Sequence, residues 1–297
     1  MNHKSGFLNI NKPPDFSSHD VVAYLRKLLN IKKVGHGGTL DPFATGVLVI
    51  GINDAPRLFE FIQSDKTYIG EITFGIETNT DDTTGEIKNK SEKLPTLDDI
   101  KNKINLFKGK ILQKPPIFSA VKIDGERAYK LARKESIELS EMKEKEVEIY
   151  DTEIISYEQP KLTLKIHCSA GTYIRSIARD LGKALDTYGS LSSLQRIKSG
   201  MFTIEESIDL KSAEKSTLDR ILISHEKALN LDRLYLDSKQ ITEILHGREI
   251  NLKDYKQSKT KHLQLLDNND KLIAIGCQTA NNSIRPIKVL YKNEQTA

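Results

Sequence analysis

Between Lys32 and Ile52 the chain reads KKVGHGGTLDPFATGVLVIGI: a loop with three glycines, a histidine and an Asp-Pro pair runs straight into apolar residues. From Gly46 to Ile52 no position is polar, so neither side of an extended segment there can face water. That predicts a buried strand with packed layers over it, and the run is far shorter than the roughly 20 residues a membrane helix needs. Asp41 then lies at the mouth of a core element. Gly35, Gly37 and Gly38 permit backbone conformations that a side chain resists, at an entropic cost, so the loop implies close approach of its backbone to something. Asp-Pro by itself is a common turn opener. Neither G-x-G-x-x-G nor G-x-x-x-x-G-K-[ST] occurs in the loop, which argues against nucleoside-triphosphate chemistry.

The remaining chain narrows the class. Its 297 residues suffice for one large domain and a small one. Cys168 and Cys277 are the two cysteines, too few for a disulfide framework or a Cys-rich zinc site. The seven histidines lack H-E-x-x-H spacing, so no metal is expected. The start, MNHKSGFLNI, has no long apolar leader, and a cytoplasmic location is the expectation. A net charge of +4 does not by itself mark a nucleic-acid binder, but residues 101–135 hold ten basic and three acidic side chains, a local +7. Phe107, Phe118 and Tyr129 stand among those cations, a mixture suited to phosphates and base faces together.

Along the chain FLNI reads as a strand and NKPPD as a turn, and Ser18 can cap a helix that places Val22, Leu25, Leu28 and Leu29 on one face. TYIGEITFGI is a strand closed by the polar turn TNTDDTTGEI, and LPTLDDIKNKINLFKG an amphipathic helix stopped at Gly109. KLTLKIHC alternates with the period of a half-buried strand. In SAGTYIRSIARDLGKAL, Ile174, Ile177, Ala178, Leu181 and Leu185 have helical spacing, yet Arg175 falls in the first turn, where a cation opposes the helix dipole. A buried carboxylate nearby would reverse that penalty, because a desolvated Arg needs a partner and its fork suits Asp or Glu. Near residue 230 the pattern resets into a small β-rich unit with strands in HLQLL, KLIAIG and IKVLY.

The segment GHGGTLDPFATGVL resembles the active-site signature of the TruB-type tRNA pseudouridine synthases, roughly G-H-x-G-T-L-D-P-x-A-x-G-V-L. Four further family-like blocks follow in family order: DKTY at 65–68, PPIFSAVKIDGERAYKLAR at 115–133, CSAGTYIRSIARDLG at 168–182 and LQRIKSGMF at 194–202. The tail, with LHGREI and IRPIKVLY, looks more loosely like a PUA-like RNA-binding domain. Asp15 replaces a usual glycine, and Gly37 occupies a variable site often filled by Thr.

The resemblance implies an α/β chain of the α+β type: a catalytic domain over 1–230 on a mixed, largely antiparallel sheet, with the basic insertion near 101–135, and a PUA-like domain over 231–297. It implies isomerisation of uridine 55 in the T-loop of tRNA to pseudouridine, without cofactor or metal, by a monomer whose partner is the tRNA T-arm. Asp41 matches the catalytic aspartate, His36 the residue that fills the space left in the T-loop, and Tyr68 the tyrosine that stacks on the target uracil. Arg175 matches the arginine paired with the aspartate. Tyr173 is expected to line the same pocket, and Lys12 to support the site or the RNA backbone. Every catalytic block precedes residue 203, so the tail is expected to be an accessory whose loss spares the chemistry. The rival readings are a non-catalytic RNA-folding protein using the same surface, and an RNA-guided synthase that works with partner proteins.

Overall fold

The computed structural model describes residues 5–134, 136–251, 258–279 and 283–290. Its main sheet runs, in spatial order, Ile208–Asp209, Gly6–Lys12, Thr45–Ile52, Gly189–Ser199, Lys66–Phe74, Lys161–Cys168, Lys145–Glu158 and Gly109–Gln113. Val34–His36 and Phe202–Thr203 add short pairings that bring it to ten strands. Neighbours are antiparallel except where Gly6–Lys12 meets Ile208–Asp209 and where Thr45–Ile52 meets Gly189–Ser199, so the sheet is mixed and largely antiparallel, as expected.

The two-sided burial of GVLVIGI has a direct structural cause. Leu48, Ile50 and Ile52 point into one apolar cluster, shared with the helices Ser18–Leu29, Leu97–Ile104 and Ile174–Ala184. Val47 and Val49 point the opposite way, into a second cluster with Phe7, Leu58, Phe61 and Phe202. Ala228, Leu229, Leu266, Leu272 and Ile275, from the C-terminal part of the chain, complete that second cluster. The C-terminal unit has a five-stranded sheet in the order Asp232–Tyr235, Leu263–Leu266, Leu272–Gln278, Ser283–Val289, Ile250–Asn251, with its own core around Leu236, Ile244, Leu265 and Ile284. It shares the second cluster with Phe7, Val47 and Val49 of the main sheet.

Two local readings also shift. Ser17, not Ser18, caps the first helix, in a reciprocal capping box with Asp20. Val21 takes the buried place expected for Leu28, which is only partly buried. The basic insertion is not one free surface. Lys108 pairs with Asp151 at 3.0 Å and Lys110 with Glu146 at 3.3 Å along the edge of the sheet. Beyond them a small lobe, with the hairpin Lys122–Ile123/Glu126–Arg127 and the helix Ala128–Arg133, closes on its own core of Ala128, Ile137 and Met142.

Candidate active site

Asp41 sits in a loop fixed from several sides by its backbone. Ser18, buried at the start of the first helix, donates to the Leu40 carbonyl and accepts from the Leu40 N–H. Lys12 is fully buried, and its ammonium donates to the carbonyls of Pro13 (2.8 Å), Phe16 (2.6 Å) and Pro42 (3.0 Å). All three protons are therefore spent on carbonyls, two in the Pro13–Phe16 turn and one at Pro42 beside Asp41, so Lys12 ties the turn to the Asp41 loop and presents nothing to an RNA phosphate. Burial pushes its pKa down to about 8, against the attraction of Asp41. Arg196 grips the other limb, with Nε 2.6 Å from the Val47 carbonyl and Nη2 3.1 Å from that of Gly38. The glycines belong to the same clamping. A Cβ at Gly46, whose φ is +100°, would run into the Arg196 carbonyl, and one at Gly37 would lie 2.6 Å from the Phe59 ring. Of Gly35, Gly37 and Gly38, from which a close backbone approach is expected, Gly37 makes it to the protein itself, against Phe59.

Arg175 approaches from the helix Ile174–Ala184. Its Nη2 donates to Asp41 Oδ1 at 2.9 Å, and its Nε lies 2.9 Å from Oδ2 as an ion pair. The Arg175 side chain is 6% exposed and that of Asp41 30%, so the cation is walled in while part of the anion stays open to solvent. The remaining guanidinium contacts go to the carbonyls of Thr80 and Phe118 and, at 3.4 Å, to buried Asp82. One turn on, Arg179 binds Asp81 at 2.8 Å and its neighbour Asp180. The DD of TNTDDTTGEI, which reads locally as a plain polar turn, therefore supplies counter-ions to two buried arginines. Asp81, Asp82 and Arg179 escape sequence reading. The signal that could have found them is a second arginine at i+4 on the same apolar helix face, facing a demand for acids that an Asp-Asp turn can meet. Burial raises the Asp81 carboxyl, with Arg179 and Arg175 pulling it back.

The other expected residues converge on the same loop. Tyr173 precedes the helix, held by buried Gln113, which accepts from its N–H and donates to its carbonyl. Its phenol is pushed up by burial and feels both Asp41 and Arg175. Tyr68 is buried on its strand opposite Arg196, and burial raises its phenol, with Arg196 and Asp41 both close enough to act on it. His36, at the end of its short strand, has a buried Nδ1 with no partner. Burial, then the charge of Arg196, lowers its pKa, which keeps the ring neutral at physiological pH. Among the described residues no group of three or more His, Cys, Asp or Glu side chains could hold a metal ion.

The model for the "TruB family pseudouridylate synthase (N terminal domain)" matches residues 26–174. The chain is 43% identical over 257 residues to the tRNA pseudouridine synthase B of Microcystis aeruginosa, covering 84% of this chain and 85% of the relative. The chain belongs to the TruB family. The tRNA pseudouridine synthase B of Prochlorococcus marinus (strain NATL1A) is 39% identical, with 98% of this chain and 99% of that one covered, so the likeness extends through the C-terminal unit. Among solved structures, an H/ACA RNP bound to a substrate RNA containing 2′-deoxyuridine superposes with a TM-score of 0.73 at 22% identity, over 97% of this chain and 86% of that one. A Cbf5-Nop10-Gar1 complex gives 0.69 at 24%, over 97% and 84%. Both share the fold of this TruB-family chain. No helix among its described residues is long and apolar enough to cross a membrane.

Proposed function

We propose that this chain converts uridine 55 in the T-loop of tRNA to pseudouridine, acting as a monomer without metal or cofactor. Residues 1–230 carry the chemistry in this reading, and residues 231–297 a PUA-like RNA-binding unit that is structurally fused to them. The observation that carries the proposal is Asp41: a carboxylate partly open to solvent, its position fixed by Lys12, Ser18 and Arg196 and its charge held by buried Arg175. Moving a base from nitrogen to carbon linkage requires a nucleophile or anion held against the ribose or the ring, and a preorganised carboxylate meets that need. The target base must first leave its stack, at a cost of a few kcal/mol. Tyr68 then receives the uracil, Tyr173 lines the pocket, and His36 at the rim occupies the vacated space in the loop.

The relatives named tRNA pseudouridine synthase B are 39–43% identical to this chain, against 22–24% for the H/ACA RNP and the Cbf5-Nop10-Gar1 complex, which favours direct tRNA recognition. The intact Asp41–Arg175 pair favours catalysis over RNA folding alone. Mapping pseudouridine in unmodified tRNA treated with the pure protein tests the proposal. The expected product is a single new pseudouridine in the T-loop; an unmodified T-loop would overturn it.

A further inference from the structure

Lys12, Lys66 and Arg196 are buried on the floor beneath the Asp41 loop, and among the described residues none of them forms an ion pair with a carboxylate. This separates them from Arg175 and Arg179, whose charges are matched by Asp41, Asp82, Asp81 and Asp180. Carbonyl dipoles satisfy the hydrogen bonds of Lys12 and Arg196, while Asp41, Asp15 and Asp20 act on Lys12, and Asp65 on Lys66, only from a distance and without a direct ion pair; a buried cation with no carboxylate in contact is ordinarily strongly disfavoured. Lys66 is one pleat from Tyr68 on the same face of the strand, and its ammonium donates to the Ser199 hydroxyl at 2.7 Å. At Gly38, a Cβ would meet Arg196 Nη1 at 3.7 Å and Lys66 Cε at 3.9 Å, so both cations converge under one point of the loop. Arg196 is the hub, since its charge acts on Lys12, Lys66, Tyr68 and His36 alike.

We propose that this unpaired cation cluster, centred on Arg196 and Lys66, stabilises negative charge on the uracil ring while it is detached from the ribose. The proposal rests on the isomerase reading above. When the bond from ribose carbon 1′ to ring N1 breaks, its electron pair leaves with the ring, which becomes an anion delocalised over N1 and the two carbonyl oxygens. Re-attachment through carbon 5 forms the new bond, releases the carbon 5 proton and returns a proton to N1, so atoms and charge balance over the cycle. A fixed positive field behind Tyr68 lowers the energy of that intermediate and does nothing for the neutral base, which is how a preorganised site accelerates a reaction. Phosphate is the other anion that RNA offers. Arg196 is fully buried and Lys66 nearly so, an arrangement that suits a field felt through the pocket wall better than direct contact with a hydrated diester.

Equilibrium binding of three probes to the full-length chain tests this: uracil, 5-nitrouracil, which carries the same ring as an anion near neutral pH, and inorganic phosphate. The anionic base is expected to bind about 10-fold or more tightly than uracil, a factor worth about 1.4 kcal/mol. Lys66→Gln should erase several-fold of that preference, and phosphate should not displace the base. The unmutated protein provides a second readout. Burial lowers Lys66 and Lys12 to about 8, so raising the pH through that value should shrink the preference as both lysines lose their charge. Asp65, Cys168, Tyr68, His36, Asp41, Asp15 and Asp20 also act on the cluster, and of these Tyr68 and Cys168 are shifted upward, away from that window. Equal affinity for the two bases, or displacement of 5-nitrouracil by phosphate, would overturn the proposal. If that occurs in a protein that still isomerises a T-arm stem-loop, the inference alone fails; a protein that does not isomerise removes the reading beneath it.

Discussion

Replacing Arg175 with Met keeps a long unbranched side chain and deletes the cation that faces two carboxylates. Asp82 is left buried without its Arg175 contact, although Thr80 and Thr84 still donate to its Oδ1. Asp41 loses its only ion pair among the described residues but keeps its partial access to solvent. Removing one partner of a buried pair costs about 3–5 kcal/mol. The partial exposure of Asp41 places this case at the low end, about 3 kcal/mol, with Asp82 the larger contributor. Urea unfolding at unchanged slope should show the loss as a lower midpoint. Adding Asp82→Asn to Arg175→Met should recover part of the lost stability but none of the lost isomerisation, since Asp41 remains unheld. An Arg175→Met protein with unmutated stability and single-turnover rate would refute the pairing argument, and so would a double mutant whose losses simply add.

Three further outcomes are expected. Lys122→Gln with Lys130→Gln, both on the exposed face of the small lobe, should lower the logarithmic salt slope of tRNA binding by about 1.4–1.8, whereas Lys108→Gln and Lys110→Gln, which lose protein partners, should change it less; an unchanged slope in the first pair counts against the lobe as a phosphate-contacting surface. Truncation after Asn230 should give an unstable or aggregating protein and not a lean catalytic core, because Phe7, Val47 and Val49 lose the cover of Leu266, Leu272 and Ile275; a folded, cooperative fragment in thermal unfolding would contradict this. Gly37→Ala should destabilise by about 1–3 kcal/mol through the Phe59 ring, and Phe59→Leu should relieve it in the double mutant; a neutral Gly37→Ala would show that the loop gives way freely.

The parts of this molecule legible in the sequence are those whose cause is local. GVLVIGI announces a strand buried on both faces, and Ile174, Ile177, Ala178 and Leu181 announce the apolar side of a helix. Arg175 could be singled out because a cation in a first helical turn is locally unfavourable and asks for a distant anion. The identity of the further acids could not be read the same way, since Asp81 and Asp82 lie in a turn that any polar residues could form and are brought against the helix arginines only by the fold, from more than ninety residues away. Lys12 was visible as a residue of the site, but a lysine in a Pro-rich turn looks the same in sequence whether its ammonium meets phosphate or three carbonyls. Arg196 and Lys66 sit in strands whose apolar alternation they interrupt, a signal that is weak without knowing what the strand faces. The fused C-terminal unit was implicit in the chain all along: Val47 and Val49 cannot face water, so something must cover them, but which segment does so depends on a contact across some two hundred residues.

The central claim, that Asp41 is the reacting carboxylate, meets its most direct test in Asp41→Asn. The amide keeps the shape of the side chain and remains a good turn former, but it removes the anion. Single-turnover isomerisation of a T-arm stem-loop carrying the target uridine, measured beside a binding titration of the same RNA, separates chemistry from recognition. The account predicts that the variant binds the stem-loop within a few-fold of the unmutated protein, because phosphate contacts supply most of the affinity, and forms no pseudouridine. Pseudouridine formation by the Asn variant at an undiminished rate would contradict it.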